Sequence, residues 1–236
     1  MNDGHAAFGL PLVLATGNTD KARELSELLS DALDAVLVTI VVTVGDRPVG
    51  FVVERPEHFA TTVEQLVALD EAPDVEETGT TLEENARIKA RGVGDALGLT
   101  AVADDTGLEI DALDGAPGVR AARFAGPDAT YADNVAKVLA ALEGVSALRR
   151  TARFATVVVA RTPGGDEVVV RGEVEGLITT EPRGRGGFGY DSVFEPIEGD
   201  GRTFAEMTPD EKHALSHRGR ALRALVSRLN DSEEPR

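Results

Sequence analysis

Cysteine is absent from this chain of 236 residues, and lysine is scarce, since only four of its 24 basic residues are lysines. Without cysteine the chain forms no disulfide, has no thiolate nucleophile and builds no cysteine-based zinc site. Its four histidines do not show the HExxH spacing of zinc hydrolases. Any metal must therefore be held mainly by oxygen, which favours hard cations such as magnesium, manganese or calcium.

Long hydrophobic runs are absent as well. The longest, at 36–44, is far shorter than the roughly 20 residues that cross a bilayer, so we expect no membrane partner. Residues 1–10 lack a basic region followed by an apolar run of signal-peptide length, and we expect a cytoplasmic protein. The formal net charge of −17 disfavours nucleic acids as partners, but it leaves open a small ligand that carries phosphate.

Predicted strands and helices alternate along the chain, which indicates a mixed α/β fold. The predicted strands are 11–15, 36–44, 49–54, 100–103, 152–160, 167–174 and 190–194. The predicted helices follow Thr19, cover 61–69, 82–97 and 131–142, and start again at Thr208 and Ser216. Because hairpins at 45–48 and 163–166 interrupt the alternation, the sheet should contain antiparallel as well as parallel pairs. We expect a single domain over residues 1–236.

Two acidic pairs are candidates for a metal site. Asp104 and Asp105 follow an apolar strand, where α/β sheets commonly present ligand sites, and Glu76 and Glu77 precede the helix that carries Lys89. If the two pairs face each other, they suit magnesium, which prefers a few carboxylates together with waters and substrate phosphates. A capped Asp-Thr-Gly turn and a solvated acidic loop are the alternatives for each pair on its own.

Two further segments are candidates for binding an anion. The turn Thr16-Gly-Asn-Thr-Asp-Lys21 leads from a strand into a helix, where backbone N–H groups and the helix dipole favour negative charge. Lys212 and Ser216-His-Arg218 flank a second helix start, which could dock an anion or a carbonyl-bearing base. An ordinary capped helix start is the alternative for both. The GxxxxGK[ST] pattern is absent, so a P-loop enzyme has no support.

The loop Gly184-Arg-Gly-Gly-Phe-Gly189 satisfies GxGxxG only formally, because no strand precedes it. Its glycines let the backbone approach a planar ligand, and Phe188 could stack on a base. A flexible turn is the alternative.

Taken in order, these motifs resemble the inosine triphosphate pyrophosphatase family, which cleaves non-standard purine nucleoside triphosphates. The resemblance is nearly continuous from Glu76 to about Leu225. Its motifs are Leu14-Ala-Thr-Gly-Asn-Thr-Asp-Lys21, Glu77-Thr-Gly-Thr-Thr-Leu-Glu-Glu-Asn85, Ala103-Asp-Asp-Thr-Gly-Leu108, Gly115-Ala-Pro-Gly118, Gly186-Gly-Phe-Gly-Tyr-Asp191, and Lys212 with Ser216-His-Arg218.

The resemblance implies an elongated mixed sheet flanked by helices, in two lobes with a central active-site cleft, and a homodimer. It implies that magnesium supports hydrolysis at the α-phosphate, which gives a monophosphate and pyrophosphate. Asp105 would be the general base, and the metal ligands would be Asp105, Asp104, Glu76 and Glu77. The substrate-binding residues would be Thr16, Gly17, Asn18, Lys21, Lys89, Thr106, Phe188, Gly189, Tyr190, Asp191, Lys212, His217 and Arg218.

The preferred base and two alternative functions complete the hypothesis. Backbone N–H groups near Ser216 to Arg218 could select a 6-oxo purine, because a 6-amino group would place a donor against a donor. The alternatives are a non-catalytic nucleotide-binding regulator and a pyrophosphatase for other modified nucleotides. Residues 36–73 depart from the family pattern, and we interpret them as an inserted hairpin region.

Overall fold

The computed structural model describes residues 10–34, 36–44, 47–58 and 75–231. In these ranges the chain forms eight β-strands and five α-helices. The strands are β1 (Leu12–Leu14), β2 (Val38–Val44), β3 (Arg47–Glu54), β4 (Thr100–Ile110), β5 (Pro117–Gly118), β6 (Thr151–Arg161), β7 (Glu167–Ile178) and β8 (Phe194–Pro196). The helices are α1 (Thr19–Ala32), α2 (Leu82–Leu97), α3 (Tyr131–Ala141), α4 (Pro209–Leu215) and α5 (His217–Asp231).

The strands are hydrogen-bonded in the order β2-β3-β1-β4-β6-β7-β8, and β5 pairs with β4. β1 is parallel to β4 but antiparallel to β3, and β3 is antiparallel to β2. The short strands β5 and β8 are antiparallel to β4 and β7. Parallel and antiparallel pairs thus occur together, and the prediction of a mixed α/β fold is confirmed.

The chain divides into two compact units, and each collects separate stretches of sequence. Unit 1 comprises Met1–Asp105, Val157–Val170 and Ala221–Arg236. Unit 2 comprises Thr106–Thr156 and Arg171–Arg220. A single domain over residues 1–236 stays a prediction.

The core of unit 1 forms where α1 packs on the sheet. Leu25 and Leu29 of α1 are fully buried in one cluster with Leu12 and Leu14 of β1. Burying a leucine of this kind contributes about 1.5–3 kcal/mol. Ala32, the last residue of the helix, is exposed.

The core of unit 2 is centred on three phenylalanines. Phe154 of β6 lies 4.6 Å from Phe194, measured between ring centroids, and Phe194 lies 5.3 Å from Phe204. Tilted and offset pairs at such distances are the favoured arrangements of aromatic rings. Val138 of α3 and Leu108 of β4 are fully buried in the same cluster, so this core anchors the segments that carry the unit 2 site residues.

Local capping signals set both ends of α2. The Thr81 hydroxyl accepts from the backbone N–H of Glu84, whose side chain accepts from the Thr81 N–H in return. Gly98 ends the helix with φ of 64°, a left-handed conformation that glycine adopts without a steric penalty. The helix therefore begins and ends where the sequence predicts.

β4 is longer than predicted, because it continues through Asp104 and Asp105 to Ile110. Its first part pairs with β1 as far as Val102, and Leu108 pairs with β5 further on. Strand pairing on both sides overrides the local turn preference of Asp-Thr-Gly. The acidic pair lies inside a strand and not at its end.

A second correction concerns 190–194, which the sequence predicts as a strand. Asp191 N–H donates to the Phe188 carbonyl, and Val193 N–H donates to the Tyr190 carbonyl, so the segment turns twice before β8 begins at Phe194. Hydrogen bonds that close tight turns leave these groups unavailable for a sheet ladder.

The region 36–73 is described only in part. β2 and β3 pair as the predicted hairpin, and β3 lies beside β1 in the sheet. The hairpin turn at 45–46 and the helix predicted at 61–69 lie outside the described residues. The interpretation of this region as an insertion stays a prediction. None of the helices in the described ranges has the length and apolar character needed to cross a membrane.

Candidate active site

The catalytic candidate Asp105 lies in unit 1 beside lysines that come from two helices. Asp104 and Asp105 are both buried in β4. Lys21 of α1 places its ammonium 3.2 Å from Asp104 Oδ2, and Lys89 of α2 places its ammonium 3.4 Å from Asp105 Oδ1. Successive side chains of a strand point to opposite faces, so each aspartate meets a different helix. The structure thus pairs each of the two predicted aspartates with one of the predicted lysines.

Glu77 joins this cluster, and a metal-binding role for Glu76 stays a prediction. Glu77 Oε1 lies 3.2 Å from Lys89 Nζ, so Lys89 bridges Glu77 and Asp105. The side chain of Glu76 is exposed. Of the second acidic pair, Glu77 is therefore the residue that lies with Asp105.

Asn85 is a site residue that the predicted set omits. Its side-chain amide Nδ2 donates to Asp105 Oδ2 at 3.1 Å, and its Oδ1 accepts from the Gly79 N–H at 2.8 Å. The signal for it was available, because residues four apart on a helix share a face and Asn85 lies four residues before Lys89. The full burial of this amide is visible only in the structure.

The cluster shifts the pKa values of both Asp105 and Lys89. Burial raises the pKa of Asp105 above its ordinary value, and Glu77 adds to that rise, while Lys89, Lys21 and the Asn85 hydrogen bond oppose it. Burial lowers the pKa of Lys89, but the charges of Asp105, Asp104 and Glu77 outweigh burial, and its net shift is upward. A carboxylate with increased proton affinity beside a permanently charged ammonium suits a general base.

The predicted anion-binding turn is largely bonded within itself. Asn18 is the N-cap of α1, and its Oδ1 accepts from the N–H groups of Asp20 and Lys21 at 3.0 and 3.1 Å. The Asn18 N–H donates to Thr16 Oγ1 at 3.1 Å. Gly17, between them, is exposed. Asn18 thus caps the start of α1, Lys21 lies beside Asp104, and binding of an anion by this turn stays a prediction.

Magnesium fits the donor set of this cluster, although the predicted group of four carboxylates does not form. In the part of the chain that the structure describes, no three carboxylates or imidazoles lie together as a ready-made metal site. The alternation along β4 separates Asp104 from Asp105, and Lys89 lies between Glu77 and Asp105. Magnesium needs only one or two protein carboxylates when waters and substrate phosphates complete its shell. Asp105 and Glu77 supply such oxygens.

A second cluster, in unit 2, surrounds Phe188. Asp191 Oδ2 accepts from the Phe188 N–H and from Lys212 Nζ, each at 2.8 Å. Lys212 Nζ lies 4.9 Å from the centroid of the Phe188 ring, and Arg218 Cζ lies 5.7 Å from it. The charge of a cation over an aromatic face is attractive, so these contacts fix the ring. The ring of Tyr131 lies 5.9 Å from that of Phe188, measured between ring centroids.

Lys212 is predicted to bind phosphate, and the structure gives it a buried partner instead. Its ammonium forms an ion pair with Asp191, and both side chains are almost wholly buried. Such a pair is costly to break, because the remaining charge would be left uncompensated. A role for Lys212 in holding phosphate stays a prediction.

Arg218 and Thr106, which are both predicted to bind the substrate, contact each other in unit 2. Arg218 Nη2 donates to Thr106 Oγ1 at 3.1 Å, and the hydroxyls of Thr106 and Thr156 lie 2.8 Å apart. His217 stacks on Phe154 with ring centroids 4.6 Å apart and is buried. The imidazole therefore contributes to the core of unit 2.

The buried side chain of Tyr190 supports the glycine-rich loop at 184–189. Its hydroxyl donates to the Ala121 carbonyl at 2.8 Å, and burial raises the pKa of the phenol. The ring is buried, and the assignment of Tyr190 to substrate binding stays a prediction. Gly189, the neighbouring residue, has φ of 62°, which a residue with a side chain rarely adopts. The Ser216 N–H, a predicted donor to the base, donates to the Lys212 carbonyl.

Carboxylates and lysines assembled on a mixed α/β sheet are the arrangement expected of a hydrolase that acts on metal-bound phosphates. The family model described as the Ham1 family matches residues 12–228. This chain therefore belongs to the Ham1 family, which confirms the resemblance drawn from its motifs.

Individual relatives match over nearly the whole chain. The dITP/XTP pyrophosphatase of Chlorobaculum tepidum is 43% identical over an alignment of 239 positions, which spans 94% of this chain and 93% of that protein. The dITP/XTP pyrophosphatase of Symbiobacterium thermophilum is 44% identical over 220 residues, with 92% and 94% covered. The structure of a HAM1 protein from Coxiella burnetii matches with a TM-score of 0.70 and 39% identity, covering 93% of this chain and 98% of that one.

Proposed function

We propose that this chain hydrolyses the non-standard purine nucleoside triphosphates ITP, dITP and XTP to the monophosphate and pyrophosphate, and so removes them from the nucleotide pool. One observation carries the proposal. Asp105 is buried with its two carboxylate oxygens facing Asn85 and Lys89, and Glu77 lies on the other side of Lys89. The relatives named dITP/XTP pyrophosphatase indicate the substrates.

In the proposed reaction Asp105 takes a proton from water. The water oxygen bonds to the α-phosphorus, and the bond from that phosphorus to the bridging oxygen of the β-phosphate breaks. Pyrophosphate leaves with the electron pair, and no covalent intermediate is needed. Lys21 and Lys89 are placed to neutralise phosphate oxygens as charge develops on the leaving group. Positioning and charge provide most of the rate enhancement in such a reaction.

Magnesium is proposed as the cofactor, and Asp105 and Glu77 would hold it, with Asp104 assisting from the neighbouring position. When bound, the ion would neutralise the triphosphate and polarise the phosphorus centre. The structure supports this through the hard carboxylate donors at Asp105 and Glu77 and through the absence of any cysteine.

The base is proposed to contact the unit 2 cluster. Phe188 offers an aromatic face, and Arg218 and Lys212 lie beside it. The guanidinium of Arg218 carries only donors, so it favours a 6-oxo purine over a 6-amino purine. An unpaired buried donor costs about 1–3 kcal/mol, which corresponds to roughly 10- to 100-fold discrimination against adenine.

A substrate panel tests the proposed function directly. With magnesium, ITP, dITP and XTP are expected to release pyrophosphate, and dATP should react at least about tenfold more slowly. Pyrophosphate and orthophosphate are measured separately in each reaction. Orthophosphate without pyrophosphate contradicts the proposal, and binding without turnover supports the regulator instead. Faster turnover of another modified nucleotide than of dITP assigns the enzyme to that substrate.

The glycine-rich loop gives a prediction for base binding. Gly187 has φ of 66°, and a Cβ added there would overlap Asp191 Oδ2. Gly187→Ala should therefore displace Asp191 and Phe188 and raise KM for dITP about tenfold, a loss of roughly 1.4 kcal/mol. Steady-state kinetics measure this effect.

The matched control for that variant is Gly201→Ala. Gly201 also has positive φ, 85°, but nothing lies within 4 Å of an added Cβ. It carries a similar backbone strain without a collision, so KM should stay unchanged. Equal KM values for wild type and Gly187→Ala would contradict the assignment of this loop to the base.

A homodimer in the cytoplasm completes the proposal. The homodimer rests on the family resemblance, and sedimentation of the purified chain tests it. The enzyme is proposed to act on the nucleotide pool of the cytoplasm, and fractionation of cells tests that location.

A further inference from the structure

We propose that Asn85 is a positioning residue, which sets the orientation of the Asp105 carboxylate and ties it to the loop that carries Glu77. This inference rests on the proposed function, because its effect appears in the same reaction. It concerns a residue of unit 1 that the assigned site does not include.

The direction of the Asn85 amide is set by its surroundings. The Gly79 N–H lies 2.8 Å from Asn85 Oδ1, and a backbone N–H can only donate. The carbonyl end of the amide must therefore face Gly79, which leaves the NH₂ end facing Asp105 Oδ2 at 3.1 Å. The opposite rotamer would place a donor against the Gly79 donor, so the observed orientation is the only one that satisfies both bonds.

Asp105 is consequently held at both oxygens by one helix. Asn85 contacts Oδ2, and Lys89, four residues later on α2, contacts Oδ1 at 3.4 Å. Two donors on different oxygens restrict rotation of the carboxylate. A single ion pair would allow that rotation. A general base must present one oxygen within hydrogen-bond reach of the attacking water, and a displacement of about 1 Å can cost roughly 100-fold in rate.

The same amide restrains the loop before α2. Gly79 has no room for a side chain, because an added Cβ would lie 2.6 Å from Asn85 Oδ1 and 2.9 Å from its backbone nitrogen. The loop backbone is thus packed directly on Asn85. Glu77 lies two residues earlier and meets Lys89. Asn85 therefore links the position of Glu77 to that of Asp105 through full burial and two hydrogen bonds.

Two substitutions at Asn85 test the inference. Asn85→Ala removes both bonds, and Asn85→Asp keeps the acceptor for Gly79 but loses the donor to Asp105. Each should lower kcat for dITP about 100-fold while KM changes less than about threefold. Asn85→Asp has the shape of the native residue, so it tests the inference if the alanine variant fails to fold.

Asn134 provides the matched control. It is also a buried amide on a helix, and it bonds the Ala125 N–H at 2.7 Å and the Ala122 carbonyl at 3.0 Å. Asn134→Ala should lower the melting temperature as Asn85→Ala does, yet leave kcat within about twofold, because both of its hydrogen bonds go to backbone groups of unit 2. A purely structural role for Asn85 predicts the same outcome for both alanine variants.

A double-mutant cycle separates positioning from general damage. In the Asp105→Asn background, Asn85→Ala should reduce the remaining rate less than about twofold, because it acts through Asp105. Wild-type kcat in folded Asn85→Asp, or losses that multiply in the double variant, would overturn the inference. Absence of pyrophosphate release by the wild-type chain would refute the proposed function. The inference on Asn85 is refuted separately, by the results for its variants.

Discussion

Asp105→Asn is expected to lower kcat for pyrophosphate release from dITP about 1,000-fold, because a positioned general base contributes roughly 100- to 10,000-fold. The amide has the size of the carboxylate, and its one oxygen can still accept from Asn85, whereas the contact with the Lys89 ammonium is lost. It cannot take the proton from water. Because burial already disfavours the charged form of Asp105, the neutral amide should not cost stability.

The measurement is steady-state release of pyrophosphate at saturating dITP and magnesium, with the melting temperature recorded for each variant. Asp128→Asn is the matched control, since Asp128 is exposed and belongs to unit 2. That control should have wild-type kcat. Full turnover by Asp105→Asn would show that Asp105 is not the general base. The metal and the lysines would then account for catalysis.

Arg150→Met is expected to produce the largest loss of stability, about 4 kcal/mol in the free energy of unfolding. The buried guanidinium donates to three carbonyls, those of Leu142, Val145 and Thr179, at 2.9, 3.1 and 2.9 Å. Methionine fills similar space but donates nothing, so three acceptors lose their partner. Leu142 follows the last residue of α3, and its carbonyl is among those that a helix end leaves unsatisfied.

Urea denaturation measures the free energy, and thermal unfolding should show a melting temperature lower by about 10 °C in a chain of this size. Arg149→Met is the matched control, because its neighbour Arg149 is exposed. Arg150→Lys keeps the charge with fewer donors and should lie between wild type and methionine. A loss below about 1 kcal/mol for Arg150→Met would show that the carbonyls find other partners.

Arg150 illustrates what sequence reasoning cannot assign. In the sequence it is one basic residue among 24, next to another arginine. Its partners are backbone carbonyls, which every residue carries, so no pattern of side chains identifies them. Exposure separates Arg149 from Arg150, and exposure depends on how α3 and the end of β7 pack.

Elements with local signals were predicted closely, whereas those decided by distant pairing were not. α2 follows a capping box and ends at a glycine, and β6 and β7 flank a turn at 163–166. In contrast, β4 runs through Asp104 and Asp105 because β1 and β5 pair with it, and Tyr190 is buried under Ala121. Bonds between residues far apart in the chain give no signature in a short window.

The sequence by itself determined the chemistry that is possible: oxygen ligands for a metal, scarce lysines within motifs, an acidic pair and a glycine-rich loop around an aromatic residue. Only the tertiary structure decided which groups meet. It pairs Lys21 with Asp104, places Asn85 and Lys89 on Asp105, and occupies Lys212 with Asp191. The reason is physical, since residue types fix charge and hydrogen-bonding capacity, while burial and the faces of strands and helices fix the partner.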